Sequence, residues 1–207
     1  MPVIRVEHPI VQDILLKLRD ARTPPDTFRA MTRRISLLLA AEATRDLPSR
    51  PATVATPLAT AQGRELAAEV VVVPVLRAGL GMLEAVLDIV PRARVGHIGL
   101  QRDEVTAVAS QYYAKFPNSL EHSVVCLVDP MLATGGSAIA AIEQLERCGA
   151  RDLRLLCIVA APEGIALVEQ RYPDVKIYTP VVDERLNAQK FIVPGLGDFG
   201  DRLFGTE

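Results

Sequence analysis

Ser123-Val-Val-Cys-Leu-Val-Asp129-Pro130-Met131-Leu132-Ala133-Thr134-Gly135-Gly136-Ser137 decides how this chain of 207 residues is read. Its first six residues form an apolar run the width of one buried strand, ending at Asp129. A short loop follows, and Thr134-Gly135-Gly136-Ser137 opens a helix that continues Ala-Ile-Ala-Ala-Ile-Glu-Gln-Leu-Glu-Arg-Cys-Gly. A helix start holds N–H groups without intrahelical partners and carries partial positive charge. Two adjacent glycines let those groups close on an anion with no Cβ in the way. The stretch reads as a phosphate cradle with Asp129 at the strand's carboxyl end. An ordinary strand-to-helix turn, in which Thr134 or Ser137 merely caps the helix, fits the same residues.

Outward from this stretch the pattern is regular. Apolar runs predict strands near 69–75, 93–99, 123–128, 153–160 and 175–181, alternating with helices near 79–89, 136–148 and 163–172. Near-continuous Val, Ile and Leu between helices indicates an α/β fold, a parallel sheet with helices on both faces. Ligands of such sheets bind at the carboxyl ends of the strands. Upstream, a first helix over about Ile10–Arg19 is closed by Thr23-Pro24-Pro25, and a second starts near Asp26. In the second, Phe28, Met31, Ile35, Leu38 and Leu39 recur at three and four residues, a stripe that faces a core. Arg29, Arg33 and Arg34 lie mostly off it and read as solvated. Pro48 to Gly63 is broken by Pro51, Pro57 and Gly63 into strand-like pieces, a hairpin or small irregular lobe. One domain over 1–207 with an N-terminal arm is expected from the length.

Further stretches fall at strand ends or in loops that reach them. In Val-Val-Val-Pro-Val-Leu-Arg77-Ala-Gly79-Leu-Gly81, an arginine just past a strand precedes glycines at a helix start. A guanidinium fork matches phosphate oxygens in pairs, although a surface arginine on a turn explains the residue equally well. Gln101-Arg102-Asp103-Glu104-Val105-Thr106 follows the next strand and opens a segment of poor periodicity reaching Glu121; loops of that length are usually functional or mobile. Gly195-Leu-Gly197-Asp198-Phe199-Gly200 satisfies the string G-x-G-x-x-G, but no βαβ unit follows it, so the dinucleotide reading fails. His8, His97 and His122 show no ligand spacing and read as structural or surface groups. Pro162-Glu163-Gly164 is explained as a helix start.

Taken together, these motifs resemble the phosphoribosyltransferases of type I, from His8-Pro9 to Phe204-Gly205-Thr206. Asp129-Pro130 stands where most relatives carry two adjacent acidic residues, a form similar to that of the uracil-specific branch. The resemblance implies the fold of that family, with a small hood lobe, and transfer of the 5-phosphoribosyl group of phosphoribosyl pyrophosphate to N1 of uracil, giving UMP and pyrophosphate in pyrimidine salvage. It implies that Asp129, Pro130, Met131, Leu132, Ala133, Thr134, Gly135, Gly136 and Ser137 bind the ribose phosphate, and that Arg77 and Arg102 hold the pyrophosphate. It implies that Ile192, Gly197, Asp198 and Phe199 contact uracil, with Asp198 also near the ribose. Arg77, Arg102, Asp129 and Asp198 are the expected catalytic residues. Mg²⁺ is the expected cofactor, held mainly by phosphoribosyl pyrophosphate, with no direct protein ligand and Asp198 reaching it through water. Gln101 and Phe191 depart from tyrosines common in the family, and the residues after Arg102 depart from its lid pattern. Relatives form dimers or tetramers and some are activated by GTP, so a homo-oligomer and a GTP effector are expected; no feature of the sequence decides either.

Composition bounds the alternatives. At 49% hydrophobic residues the chain buries a core rather than staying disordered. A net charge of −2 gives no electrostatic footprint for nucleic acid, which weighs against an RNA-binding regulator on the same fold. A phosphoribosyltransferase for another base is disfavoured by the Pro194-Gly195-Leu-Gly-Asp198 loop. The longest apolar runs are too short to span a bilayer, and the first residues lack a signal-peptide pattern. Cys126, Cys148 and Cys157 lack metal-ligand spacing and read as core thiols, consistent with a cytoplasmic protein.

Overall fold

A computed structural model describes residues 3–102 and 109–206, with only the backbone at Arg102, Ala109 and Ser110. The chain enters through β1 (Ile4–Arg5), α1 (Pro9–Arg19) and α2 (Pro25–Ala43), then a hairpin of β2 (Ser49–Ala55) and β3 (Thr60–Leu66). It continues through β4 (Glu69–Leu76), α3 (Leu80–Ile89), β5 (Arg94–Val95), β6 (His97–Arg102), β7 (Ala109–Lys115) and β8 (Ser123–Val128). Next come β9 (Met131–Leu132), α4 (Gly136–Arg147), β10 (Asp152–Leu156), β11 (Val159–Ala160), α5 (Pro162–Arg171) and β12 (Lys176–Thr179). The last elements are β13 (Arg185–Leu186), β14 (Ile192–Val193) and α6 (Phe199–Phe204).

Eight strands make one sheet in the order β1-β12-β10-β8-β4-β6-β7, with β5 also on β4. Its pairings are parallel except β6 with β7. Alternate residues of the central strands enter two different cores. Val70, Val72, Cys126 and Val128 meet Leu18, Phe28, Ile35, Leu39 and Met82 from α1, α2 and α3. Val71, Val73, Val125 and Leu127 meet Ile142, Leu145 and Val168 from α4 and α5. All of β8 is buried, which is why its sequence is an unbroken apolar run. Each such side chain contributes about 1.5–3 kcal/mol of transfer free energy.

Where the strands depart from the sequence expectation, a local contact accounts for it. The strand expected over 93–99 breaks at Gly96 into β5 and β6 and runs on to Arg102. The strand expected over 153–160 divides after Leu156. The Pro130 carbonyl accepts from both Ile158 and Val159, drawing β11 out of the main sheet to pair with β9. Part of the aperiodic segment after Arg102 is the strand β7, paired to β6 with a shift of register between Gly99 and Leu100, while 103–108, including Val105 and Thr106, lie outside the described residues. Residues 111–115 are all exposed, so no alternation marks them. The same reason hides the hairpin: β2 and β3 pair regularly from Ser49–Leu66 to Ala55–Thr60 while presenting almost no buried face. The base of this hairpin, at Arg50, Glu65 and Leu66, lies beside Glu69 and Val70 at the start of β4, whereas residues 189–199 stand at the carboxyl ends of the strands. No described helix is long and apolar enough to cross a membrane.

Candidate active site

The carboxyl ends of β4, β6 and β8 meet the segment 189–199 around one open cavity of about 360 Å³. Arg77, Asp129, Met131, Ala133, Ser137, Ile192, Gly197, Asp198 and Phe199 line it, so pieces far apart in sequence converge on one space. Pro130 is buried beneath the loop, where its carbonyl holds β11. Leu132 and Gly135 line a small recess behind the loop with Ala138 and Leu155. Thr134 and Gly136 line neither space. Arg102 ends β6, the strand whose Leu100 lines the cavity; its side chain lies outside the described residues.

The start of α4 is built on glycine. Its N-cap is Gly135 at φ +84°, with no side-chain cap. Thr134 Oγ1 stands a long 3.5 Å from the Gly136 N–H, and Gly135 accepts the Ile139 N–H at 2.9 Å. Left-handed backbone at Gly135 is open to glycine at little cost. A Cβ on Gly135 would stand 3.0 Å from the Gly164 carbonyl, and one on Gly164 would stand 2.4 Å from the Ala133 carbonyl. The two glycines let the first turn of α5 press against the loop from behind. Asp129 is anchored by its N–H to the Leu156 carbonyl (3.1 Å), and its Oδ1 lies 3.4 Å from the Met131 N–H.

Arg77 stands at the end of β4, and Gly79 behind it admits no side chain: a Cβ there would lie 2.4 Å from the Val128 carbonyl. Its guanidinium is half exposed, 3.2 Å from Asp201 Oδ1 and 5.8 Å from the centre of the Phe204 ring. Asp198 caps α6 by accepting the Asp201 N–H at 2.9 Å. Thus α6 carries both a cavity carboxylate and the present partner of Arg77.

The stretch expected to contact the base begins with a short hairpin. β13 and β14 pair antiparallel across a turn in which Lys190 has φ +67°. Gly195 and Gly197 have φ of +57° and +82°, and a Cβ on Gly195 would lie 2.1 Å from the Ile192 carbonyl. Ile192 and Phe199 are buried, the Phe199 ring 5.0 Å from Phe28 and edge-on to it. Phe191 stays half exposed. Gln189, Lys190, Leu100, Val75, Leu76 and Ala78 also line the cavity and were not singled out in the sequence. Only the strand-end position of the last three could have marked them.

Two carboxylates, Asp129 and Asp198, reach the cavity wall. Among the described residues no three His, Cys, Asp or Glu side chains converge on a point that could hold a metal. Carboxylate oxygens are the donor type that Mg²⁺ takes, so Asp129 and Asp198 fit such an ion by their chemistry.

Elsewhere, His8 caps α1, its Nδ1 accepting the Ile10 N–H at 3.1 Å. Cys126 and Cys157 are buried and burial pushes both thiols up to about 12, whereas Cys148 is exposed rather than a core thiol.

Known proteins match this arrangement along the whole chain. A family model described as uracil phosphoribosyltransferase covers residues 5–206. A uracil phosphoribosyltransferase of Dictyoglomus thermophilum is 51% identical over 206 residues, spanning 99% of this chain and 100% of the relative. One from Symbiobacterium thermophilum is 48% identical, spanning 99% of each. Among solved structures, the AQ2163 protein of Aquifex aeolicus superposes with a TM-score of 0.95 at 34% identity, covering 100% of this chain and 99% of that one. An adenine phosphoribosyl transferase of Trypanosoma brucei shares the fold alone, with a TM-score of 0.53 and 16% identity over 84% of this chain and 70% of its own. By these full-length likenesses the chain belongs to the uracil phosphoribosyltransferase family.

Proposed function

We propose that the cavity transfers the 5-phosphoribosyl group of phosphoribosyl pyrophosphate to N1 of uracil, releasing UMP and pyrophosphate. The observation that carries this is the meeting, in one cavity, of the glycine-led start of α4, an arginine at a strand end and the loop 189–199. In the transfer the bond from C1′ to the pyrophosphate oxygen breaks and the N1–C1′ bond forms, with loss of the N1 proton. The loop from Asp129 to Ser137 grips the 5′-phosphate, with Asp129 orienting the ribose hydroxyls. Arg77 exchanges Asp201 for the departing pyrophosphate, whose growing charge it stabilises together with Arg102. Ile192 and Gly197–Phe199 face the base. Uracil offers acceptor, donor, acceptor along O2, N3–H and O4, and cytosine inverts the last two. A backbone frame set for uracil leaves buried groups unpaired against cytosine, at about 1–3 kcal/mol each. Mg²⁺ bound through substrate oxygens, with Asp198 and Asp129 near, would offset pyrophosphate charge. A dimer or tetramer and a GTP effector, the expectations drawn from the resemblance, are readable by light scattering and by GTP titration of the initial rate.

Calorimetric titration of phosphoribosyl pyrophosphate with Mg²⁺, followed by a base panel scored for nucleotide product, tests the reading. Binding and UMP formation from uracil alone are expected, and Arg77→Ala or Arg102→Ala should remove about 2–4 kcal/mol of transition-state stabilisation. Absence of binding, equal use of cytosine, or unchanged kinetics in both variants would overturn it.

A further inference from the structure

Gly195 is held by an ion pair from outside the base loop. Asp183, whose side chain is 4% exposed, takes a bidentate fork from Arg19: Nη2 to Oδ1 at 2.6 Å and Nη1 to Oδ2 at 2.8 Å. Asp183 Oδ2 also accepts the Gly195 N–H at 2.8 Å, while Arg19 Nη1 donates to the Gly195 carbonyl at 2.8 Å. Both backbone groups of one glycine are therefore engaged by the two halves of one charge pair. Glycine has the greatest conformational freedom to lose, so it gains most from such fixing. The next residue is tied in the same direction. Arg202 donates to the carbonyls of Leu196 (2.7 Å), Leu18 and Asp20 (2.6 Å), and lies 4.5 Å over the Phe28 ring.

The other end of this clamp leads to the phosphate loop. The Asp183 N–H donates to the Ala160 carbonyl at 2.8 Å, at the end of β11. β11 pairs with β9, whose Met131 and Leu132 belong to that loop. A continuous run of backbone pairing thus leads from the phosphate grip to Asp183, and one carboxylate spans from there to the base loop. Transfer between C1′ and N1 needs both substrates in line, and a displacement of about 1 Å costs up to roughly a hundredfold in rate.

We propose that Arg19 and Asp183 are positioning residues that set the base-reading loop at a fixed distance from the phosphate loop, and so govern uracil recognition without touching either substrate. The inference rests on the transfer activity proposed above. A pair serving stability alone would alter unfolding or weaken both substrates together. The clamp instead predicts a split between them.

The test uses the full chain with Arg19→Gln and Arg19→Lys. Lysine keeps the charge beside Asp183 but loses the planar fork, and so guards against loss of folding from an uncompensated buried carboxylate. Arg19→Gln should raise KM for uracil about tenfold, the size of one misaligned hydrogen bond, and shrink the preference for uracil over cytosine. Arg19→Lys should do so to a smaller degree. The calorimetric Kd for phosphoribosyl pyrophosphate should stay within about twofold of the unmodified chain, since the phosphate loop is untouched. An unchanged uracil KM in a folded variant, or equal losses for both substrates, would overturn the proposal. Should Arg19→Gln not fold, Arg19→Lys decides alone. Failure of the activity itself would appear separately, as no UMP from the unmodified protein.

Discussion

Replacing Gly164 by alanine sets two physical effects against each other. In most helices the change stabilises, by about 0.4–1 kcal/mol, because alanine leaves the unfolded chain less freedom. Here the new methyl would stand 2.4 Å from the Ala133 carbonyl oxygen and 3.0 Å from that of Leu132, where ordinary contact begins near 3.4 Å. Both oxygens are backbone, so no side chain can swing aside. Ala133 leads into Gly135, which faces Gly164 from the other side of the contact. The phosphate loop and α5 must therefore part by about 1 Å. Movement of α5 instead of the loop strains the hydrogen bond from the Leu186 N–H to Glu163 (2.9 Å), which ties α5 to the base hairpin.

Misplacement on that scale costs roughly a hundredfold in kcat/KM, about 2.7 kcal/mol of transition-state stabilisation. Overpacking offsets the helix gain by about 1–3 kcal/mol. Initial rates at saturating uracil, with calorimetry of phosphoribosyl pyrophosphate, read the first effect; thermal unfolding reads the second. The expected result is weakened phosphoribosyl pyrophosphate binding and turnover with a Tm unchanged or lowered. A variant that binds and turns over as the parent does would show that α5 does not set the loop, and would refute the reasoning.

Two further outcomes follow from groups away from the cavity. Arg154 is buried in β10 and is held by Asp152, Asp46 and the Ala43 carbonyl, with Lys176 also on Asp46. Arg154→Met should cost about 1.5–3 kcal/mol in urea unfolding, the scale of hydrogen bonds to a charged group, and leave activity below the transition intact. The hydrogen bond from Lys176, with that from Arg154, holds Asp46 below the usual carboxylate range. Its stabilising effect is present above its unfolded value near 3.9 and is lost as pH falls through the depressed folded value. Asp46→Asn should flatten that acid limb of the stability curve, and an unchanged limb would count against the pairing. Among the thiols, burial raises Cys126 and Cys157 while Cys148 is exposed, so iodoacetamide at pH 8 should label one cysteine per native chain. Rapid modification of either buried thiol would contradict the packing of β8 and of the link between β10 and β11.

What the sequence disclosed follows from how each signal arises. Periodicity records burial, and so β4, β8 and the α2 stripe were legible, each packed against a core. β2, β3 and residues 111–115 of β7 are bound by backbone pairing with side chains mostly in solvent, and pairing alone leaves no mark on residue type. The glycine turn at the start of α4 was legible because its left-handed backbone favours glycine, and Arg77 because it stands just past a strand end. The Arg19–Asp183 clamp carried no such mark. Its residues lie 164 positions apart and are ordinary surface types, and their burial exists only once α1 docks beside the base loop. That asymmetry has a physical basis. A group that touches a ligand must have the right chemistry wherever it stands, so its identity survives in the string. A group that places another group needs only the right distance, and many residue pairs supply it. Positioning residues of such a site are therefore found in the fold, where a buried charge pair ending on a glycine's peptide groups has few other reasons to exist.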